Sequence, residues 1–423
     1  MEIYVVQRGD TLWAISRRYG IAITAISQAN GITDPNQLVV GEALVIPTPP
    51  GIHVVKYGET LWMIARMYGI SIPEIIADNA ITDPSRIVPG QQLRIRRPVM
   101  EVNGYLTQMG AAGAQIMRDV GINLTYVSNF SYHIREDGSL TPLTEAGVNE
   151  AARSQRVAPL LSLTNFSGRR FSSDLVHTVL SSPDLQQRTL DNVIAAMRSK
   201  GYTGLNIDFE YVYPQDRELY NSFLRRTVDR LHPLGYSVST ALAPKIRAEQ
   251  QGLLYEAHDY PAHGQIVDFT VLMTYEWGWA GGAPLAIAPI NEVRKVLDYA
   301  VTVIPRNKIL MGVPLYGRDW TLPYVQGTTI AETINPQEAV RRAVRYRVDI
   351  QYNTLYQSPF FRYTDENGKQ HEVWFEDARS IQVKYRTARD YGLRGVSYWV
   401  LPTEFPQNWY VLNDTFQIRK LLS

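Results

Sequence analysis

The chain reads as α/β: a (β/α)8 barrel with a small α+β insert between its seventh and eighth strands, preceded by two βααβ domains. Three observations predict this. An ungapped internal repeat fills residues 1–97. After Pro98, short apolar runs alternate with helix-like stretches. One run, Gly204-Leu205-Asn206-Ile207-Asp208-Phe209-Glu210-Tyr211, alternates apolar with polar residues. On a strand, that period of two puts two acids and an amide on one face and buries the apolar residues on the other.

The 423 residues exceed a usual single domain, and 45% of them are hydrophobic, enough for a large core. With 42 basic and 41 acidic residues the net charge is +1, without the basic excess of a nucleic-acid binder. No stretch approaches the roughly 18 consecutive apolar residues of a membrane span, so no membrane partner is expected. Cysteine is absent, which excludes disulfides, thiol catalysis and thiolate metal sites. No metal or other cofactor is implied, and nothing demands more than a monomer. The opening Met-Glu-Ile-Tyr lacks the basic and apolar regions of a signal peptide. Either the protein acts in its compartment of synthesis or a signal has been removed.

In the repeat, Val6-Gln7-Arg8-Gly9-Asp10-Thr11-Leu12-Trp13 recurs as Val55-Lys56-Tyr57-Gly58-Glu59-Thr60-Leu61-Trp62, an offset of 49 residues. Tyr19-Gly20 matches Tyr68-Gly69, and Asn30 matches Asn79. The domains run over 1–48 and 49–97. Each opens with a strand, Ile3–Gln7 or His53–Lys56, and a Gly-Asp/Glu-Thr turn then feeds a helix. Asp10 or Thr11 can cap that helix, and Gly20 or Gly69 can end it. Ser71 to Glu74 is a capping box that opens a second helix. A last strand lies near Ala43–Ile46 or Gln92–Ile95. Trp13 and Trp62 sit on amphipathic helices beside Ile15 or Ile64 and read as core residues.

This unit resembles the LysM domain, down to Gly-Asp-Thr-Leu-Trp, the Asn ending the second helix and the closing Gly-x-x-Leu-x-Ile. The resemblance implies binding of N-acetylglucosamine in peptidoglycan or chitin. It maps the ligand between Gly9, Asp10, Thr11, Leu12 and the loop Ile32–Leu38, and between Gly58, Glu59, Thr60, Leu61 and Ile81–Ile87. With Trp13 and Trp62 in the core, contacts would come from the turn backbone. Two weak sites in tandem raise avidity on a polymer.

Short linkers, Thr48–Gly51 and Arg96–Pro98, separate the units. Beyond them the expected strands are Glu101–Thr107, Asn123–Ser131, Ala158–Leu163, Gly204–Glu210, Ser237–Ala243, Asp268–Tyr275, Ile309–Tyr316 and Gly395–Val400. Helices are expected at Ala146–Arg156, Leu185–Lys200, Asp216–Leu231 and Asn291–Ile304. This order suggests a TIM barrel over 98–423, whose catalytic groups sit at the C-terminal ends of strands. Glu210 closes the fourth strand. The last connection, 319–393, is too long for a barrel loop. It carries a hairpin, Phe360–Thr364 with His371–Phe375 around Asn367-Gly368, and reads as the α+β insert.

The fourth strand resembles the Asp-Gly-x-Asp-x-Asp-x-Glu signature of family-18 glycoside hydrolases. Asp208 and Glu210 match its last two acids, and Asn206 replaces the acid before them. Asn103-Gly104-Tyr105, Met273-Thr274-Tyr275-Glu276, Gly312 to Arg318 and Gly395-Val-Ser-Tyr-Trp399 suit strands one, six, seven and eight. The third strand, Leu161-Ser-Leu-Thr-Asn165, lacks the usual Ser-x-Gly-Gly. The family uses the substrate's acetamide as nucleophile. The resemblance therefore implies Glu210 as proton donor, Asp208 as the acetamide clamp and Tyr275 as a hydrogen-bond donor to its oxygen. Asn206, Tyr105, Glu276, Arg318 and Trp399 would shape the subsite. Asp208 should push the Glu210 pKa upward. An amide at 206 accepts no proton, so Asp208 is expected to stay ionised more of the time.

Tandem LysM units on such a barrel resemble the spore cortex-lytic enzymes of endospore-forming bacteria. That resemblance implies an N-acetylglucosaminidase acting on cortex peptidoglycan or its fragments in germination. It also implies synthesis in the mother cell without a signal peptide and deposition near the spore coat and cortex. Two alternatives are a chitinase acting on chitin oligomers and a non-catalytic sugar-binding coat protein.

Overall fold

The computed structural model describes residues 1–422 apart from Ala146, Arg169 and Pro402. Eight strands close a parallel barrel: Val99–Leu106, Tyr126–His133, Ala158–Thr164, Gly204–Asp208, Ser237–Leu242, Phe269–Leu272, Ile309–Pro314 and Gly395–Leu401. The eighth pairs with the first, from Gly395 opposite Glu101 to Leu401 opposite Leu106. All eight expected strands are present. The fourth and sixth stop earlier than expected, at Asp208 and Leu272, so Glu210 and Tyr275 stand just beyond the ladder. Of the expected helices, the one at Ala146–Arg156 is Val148–Ser154, and its expected first residue lies outside the described residues.

Alternation sorts the fourth strand into two environments. Leu205, Ile207 and Phe209 pack outward against Val193, Met197, Tyr220 and Phe223 from the surrounding helices. Asn206 and Asp208 face the barrel interior, which is partly polar and bonds several of its polar groups to one another. Tyr105 donates to Asn206 Oδ1 at 2.9 Å, and Asn206 Nδ2 donates to Ser239 Oγ at 3.0 Å. Asn103 Nδ2 donates to Ser397 Oγ at 2.9 Å, and Asn103 Oδ1 accepts from Ser128 Oγ at 3.0 Å. A buried polar group without such a partner costs roughly 1–3 kcal/mol.

The insert is a five-stranded antiparallel sheet covered by the helix Pro336–Tyr346. Its first strand, Gly317–Thr321, starts ahead of residue 319 and so carries Arg318. The expected hairpin pairs Ser358–Thr364 with Gln370–Trp374. Gly368 turns it at φ 76°. The helix Ala378–Asp390, inside 319–393, packs Ile381, Tyr385 and Ala388 into the barrel's own core.

Both front domains are βααβ, with Glu2–Val5 paired to Ala43–Ile46 and Ile52–Val54 paired to Gln92–Arg94. The repeated asparagine joins helix to strand. Asn30 bonds the Ile26 carbonyl and both backbone groups of Val45, and Asn79 does the same at Ile75 and Arg94.

The two copies are attached differently. Ala29, Ala43 and Val45 of the first belong to the barrel's main core, and Val39 belongs to the insert's. The core of the second contains only its own residues. At the dock, Ile350 N–H donates to Val40 O at 2.9 Å and Arg379 donates to Gly41 O at 3.0 Å. A Cβ on Gly41 would lie 1.8 Å from the Ile350 oxygen, whereas one on its counterpart Gly90 meets nothing within 4 Å. Glu42, buried beside this dock, is pushed up to about 7 by desolvation, against the pull of the Val39 N–H it accepts at 3.3 Å. Its counterpart Gln91 accepts the equivalent Val88 N–H at 3.1 Å without a charge.

Two predictions follow from this asymmetry. Gly41 and Gly90 share a left-handed backbone, φ 85° and 88°, so alanine strains both alike. Gly41→Ala adds an overpacking cost of about 1–3 kcal/mol and should lower the melting temperature more than Gly90→Ala; equal losses would refute the dock. Between pH 4.5 and about 7 the unfolded chain loses the Glu42 proton before the native state does, so stability falls as pH rises through that window. Glu42→Gln should match wild type in melting temperature below that window and gain on it through the window. Above pH 7 the gain should level off at an order of 3 kcal/mol.

Candidate active site

The barrel's C-terminal mouth gathers the expected residues. Asp208, the last residue of the fourth ladder, is 4% exposed. Its Oδ1 has no hydrogen-bond partner among the described residues. Burial raises its pKa to about 7. Asn206 donates to Ser239 rather than to the acid, so burial alone sets the direction of the Asp208 shift. Glu210, half-buried two residues on, is raised well above the usual carboxylate range by burial, then by the charges of Asp208 and Glu276. Both shifts run toward the protonated form, and the nearness of the two acids favours keeping a proton between them.

Tyr275 stands beyond the sixth strand, 9% exposed, with Asp208, Glu210, Tyr105 and Tyr316 close enough to raise its pKa after burial. Gly312 makes room for it, since a Cβ there would lie 2.7 Å from Tyr275 Cε1. Trp399 lies half-buried in the eighth strand, 4.9 Å from Phe130 and 5.6 Å from Tyr105 between ring centres. Glu276 adopts a left-handed backbone at φ 68°. Its carboxylate accepts from Tyr316 and, at 2.7 Å, from Arg318. Arg318 also lies over the Tyr316 ring at 5.1 Å.

The structure thus brings Asp208, Glu210, Tyr275, Glu276, Arg318 and Trp399 to one mouth. Tyr105 and Asn206, expected in the subsite, lie beneath it, 2% and 0% exposed and bonded to each other. They brace the floor. Three side chains to which the sequence assigns no role, Asn165, His258 and Ser173, bond the backbone of residues 209–211. An Asn ending the third strand is the one visible signal for them.

In the front domains, Gly9 and Gly58 turn the chain at φ 86° and 82°. Thr11 and Thr60 cap the first helices, accepting from Ala14 and Met63. Asp10 is not a helix cap; it accepts from Gln7 N at 2.7 Å and Tyr4 at 2.6 Å, and Glu59 does likewise with Lys56 N and His53. Leu12 and Leu61 are buried, leaving only their backbone to a ligand. Trp13 and Trp62, expected in the core, are 65% and 59% exposed. Leu12 and Ile15 supply the buried stripe, and the residue after Leu12 points about 100° round the helix.

Residues 122–403 match glycosyl hydrolases family 18, and residues 4–47 and 53–96 match the LysM domain. The chain is 50% identical to the cortical fragment-lytic enzyme of Bacillus subtilis (strain 168), over 99% of both chains. It superposes on the crystal structure of the Bacillus megaterium QM B1551 spore cortex-lytic enzyme SleL with a TM-score of 0.88 and 38% identity, over 99% of both. A chitinase from Chromobacterium violaceum shares the fold at 24% identity and TM-score 0.69, over 75% of this chain and 98% of that one. The chain therefore belongs to family 18 of the glycosyl hydrolases, a glycosidase whose barrel follows two LysM domains.

Proposed function

We propose that the chain is a retaining, substrate-assisted N-acetylglucosaminidase that cleaves spore cortex peptidoglycan or its fragments, guided by its LysM domains. The observation that carries the reading is the buried Oδ1 of Asp208, without a partner among the described residues, beside a carboxyl whose pKa burial and neighbouring acids push upward. An acetamide N–H supplies the missing donor, and binding it draws Asp208 toward the ionised form.

Glu210 then gives its proton to the glycosidic oxygen as the acetamide oxygen attacks the anomeric carbon from the other face. The glycosidic bond breaks and an oxazolinium ring forms. Asp208 balances the positive charge of that ring, and the Tyr275 hydroxyl donates to its oxygen. Glu210, now a base, takes a proton from water, which attacks the anomeric carbon and opens the ring with net retention. Trp399 offers an apolar face to the sugar. The Tyr316–Glu276–Arg318 cluster holds the adjoining wall and keeps a negative charge near Glu210.

The named relatives support the cortex as substrate, and that substrate places the enzyme's action in the spore. All these groups come from one chain, so a monomer suffices. The exposed Trp13 and Trp62 flank the glycine turns and add flat surfaces to the LysM contact.

Two measurements test this reading. Mass spectrometry of cortex-fragment digests should show Glu210→Gln slower than wild type by about 10²–10⁴-fold. Equal cleavage by both would falsify the assignment, and faster turnover of chitin oligomers than of lactam-containing fragments would favour a chitinase. Asn206→Asp puts a second protonated acid next to Asp208. An O–H donated to Asp208 favours its ionised form, so the acidic limb of the pH–rate profile should move down by about one unit; superimposable limbs would refute the role given to this position.

A further inference from the structure

The carboxyl of a proton donor must be free to meet the glycosidic oxygen, so its position has to come from elsewhere. Here the backbone supplies it. The Phe209 carbonyl accepts from His258 Nε2 at 2.9 Å, and His258 Nδ1 accepts from Ala243 N at 2.8 Å. A backbone N–H can only donate, so the ring is the neutral tautomer protonated on Nε2. The Tyr211 carbonyl accepts from Ser173 Oγ at 2.5 Å, and Tyr211 turns the chain away at φ 56°.

Between these two, Asn165 brackets Glu210. Its Oδ1 accepts the Glu210 N–H at 3.0 Å, and its Nδ2 donates to the Glu210 carbonyl at 2.8 Å and to Ser172 O at 3.0 Å. The side chain is fully buried. The ladder between the third and fourth strands ends at Thr164 opposite Asp208. Asn165 is the next residue, and its amide bonds the strand past that end as a neighbouring peptide would. Only an amide offers a donor and an acceptor in one planar group of this size.

We infer that Asn165 is a positioning residue for the proton donor: it extends the sheet by one side-chain step and so aims the Glu210 carboxyl. This rests on the reading of Glu210 as the acid. Among the described residues, the titratable groups around Glu210 are Asp208, Glu276, Tyr105, Tyr211 and Tyr275, with His258 neutral on the Phe209 carbonyl and Arg318 paired to Glu276.

The test compares two β-N-acetylglucosaminides, one with a poor leaving group that needs protonation and one with a dinitrophenyl group that does not. Asn165→Ala should lose about 10–100-fold in kcat/KM on the first and under about threefold on the second. Equal losses on both, or no loss on either, would overturn the inference. Should the alanine variant fail to fold, the isosteric Asn165→Asp keeps the acceptor and adds a negative charge. That charge raises the pKa of Glu210, so the alkaline limb of kcat/KM should move up by about half a unit to one unit; an unmoved limb would also overturn the inference. Glu210→Gln on the same substrates separates the two claims. If it shows no dependence on the leaving group, the acid assignment fails; if it does and Asn165→Ala does not, only the positioning role fails.

Discussion

Two carboxyl groups stand two residues apart in the mouth of a closed barrel, and among the described residues no cation pairs with either. The rest of the site answers to that constraint. Desolvation alone lifts Asp208 toward neutrality, and its charge joins burial in lifting Glu210 further. A guanidinium between them would restore two ordinary carboxylates and remove the proton on which the chemistry depends. Arg318 is present at the same rim but is engaged by Glu276. That arrangement keeps a positive side chain within the cleft while leaving the acids to perturb each other. The floor complies as well, since Asn206 is fully satisfied by Tyr105 and Ser239 and lends Asp208 no stabilising hydrogen bond.

Much of this was legible in the sequence because it obeys short periods. Period two put Asn206, Asp208 and Glu210 on one face, and strand-end motifs placed Tyr275, Glu276, Arg318 and Trp399 around them. What escaped was of two kinds. Asn165 and His258 act through the main chain of residues distant in sequence, and a residue type does not reveal which carbonyl it will meet. Trp13 and Trp62 escaped for a different reason. Leu12 and Ile15 already complete a narrow buried stripe on a helix of two turns, so the large apolar residue beside them faces solvent. Apolar character suggested a core that was already filled.

The LysM pair makes a related point about repeats. Both copies keep the turn glycine, the threonine cap and the asparagine bridge, because each fold needs them. They diverge where one meets the barrel. Gly31 faces Gln337 across that dock, whereas the corresponding Ala80 adopts the same left-handed conformation at φ 48° with a side chain. Glu42 stands where the second copy has Gln91. Conformational need alone does not separate these positions; the neighbour across the dock does.

Because the first LysM domain shares buried side chains with the barrel and the insert, it is not a hand on a string. A flexible tether lets a catalyst roam over a circle of bonds around its anchor. A rigid mount does the opposite: it fixes the distance and the direction between that domain and the barrel mouth.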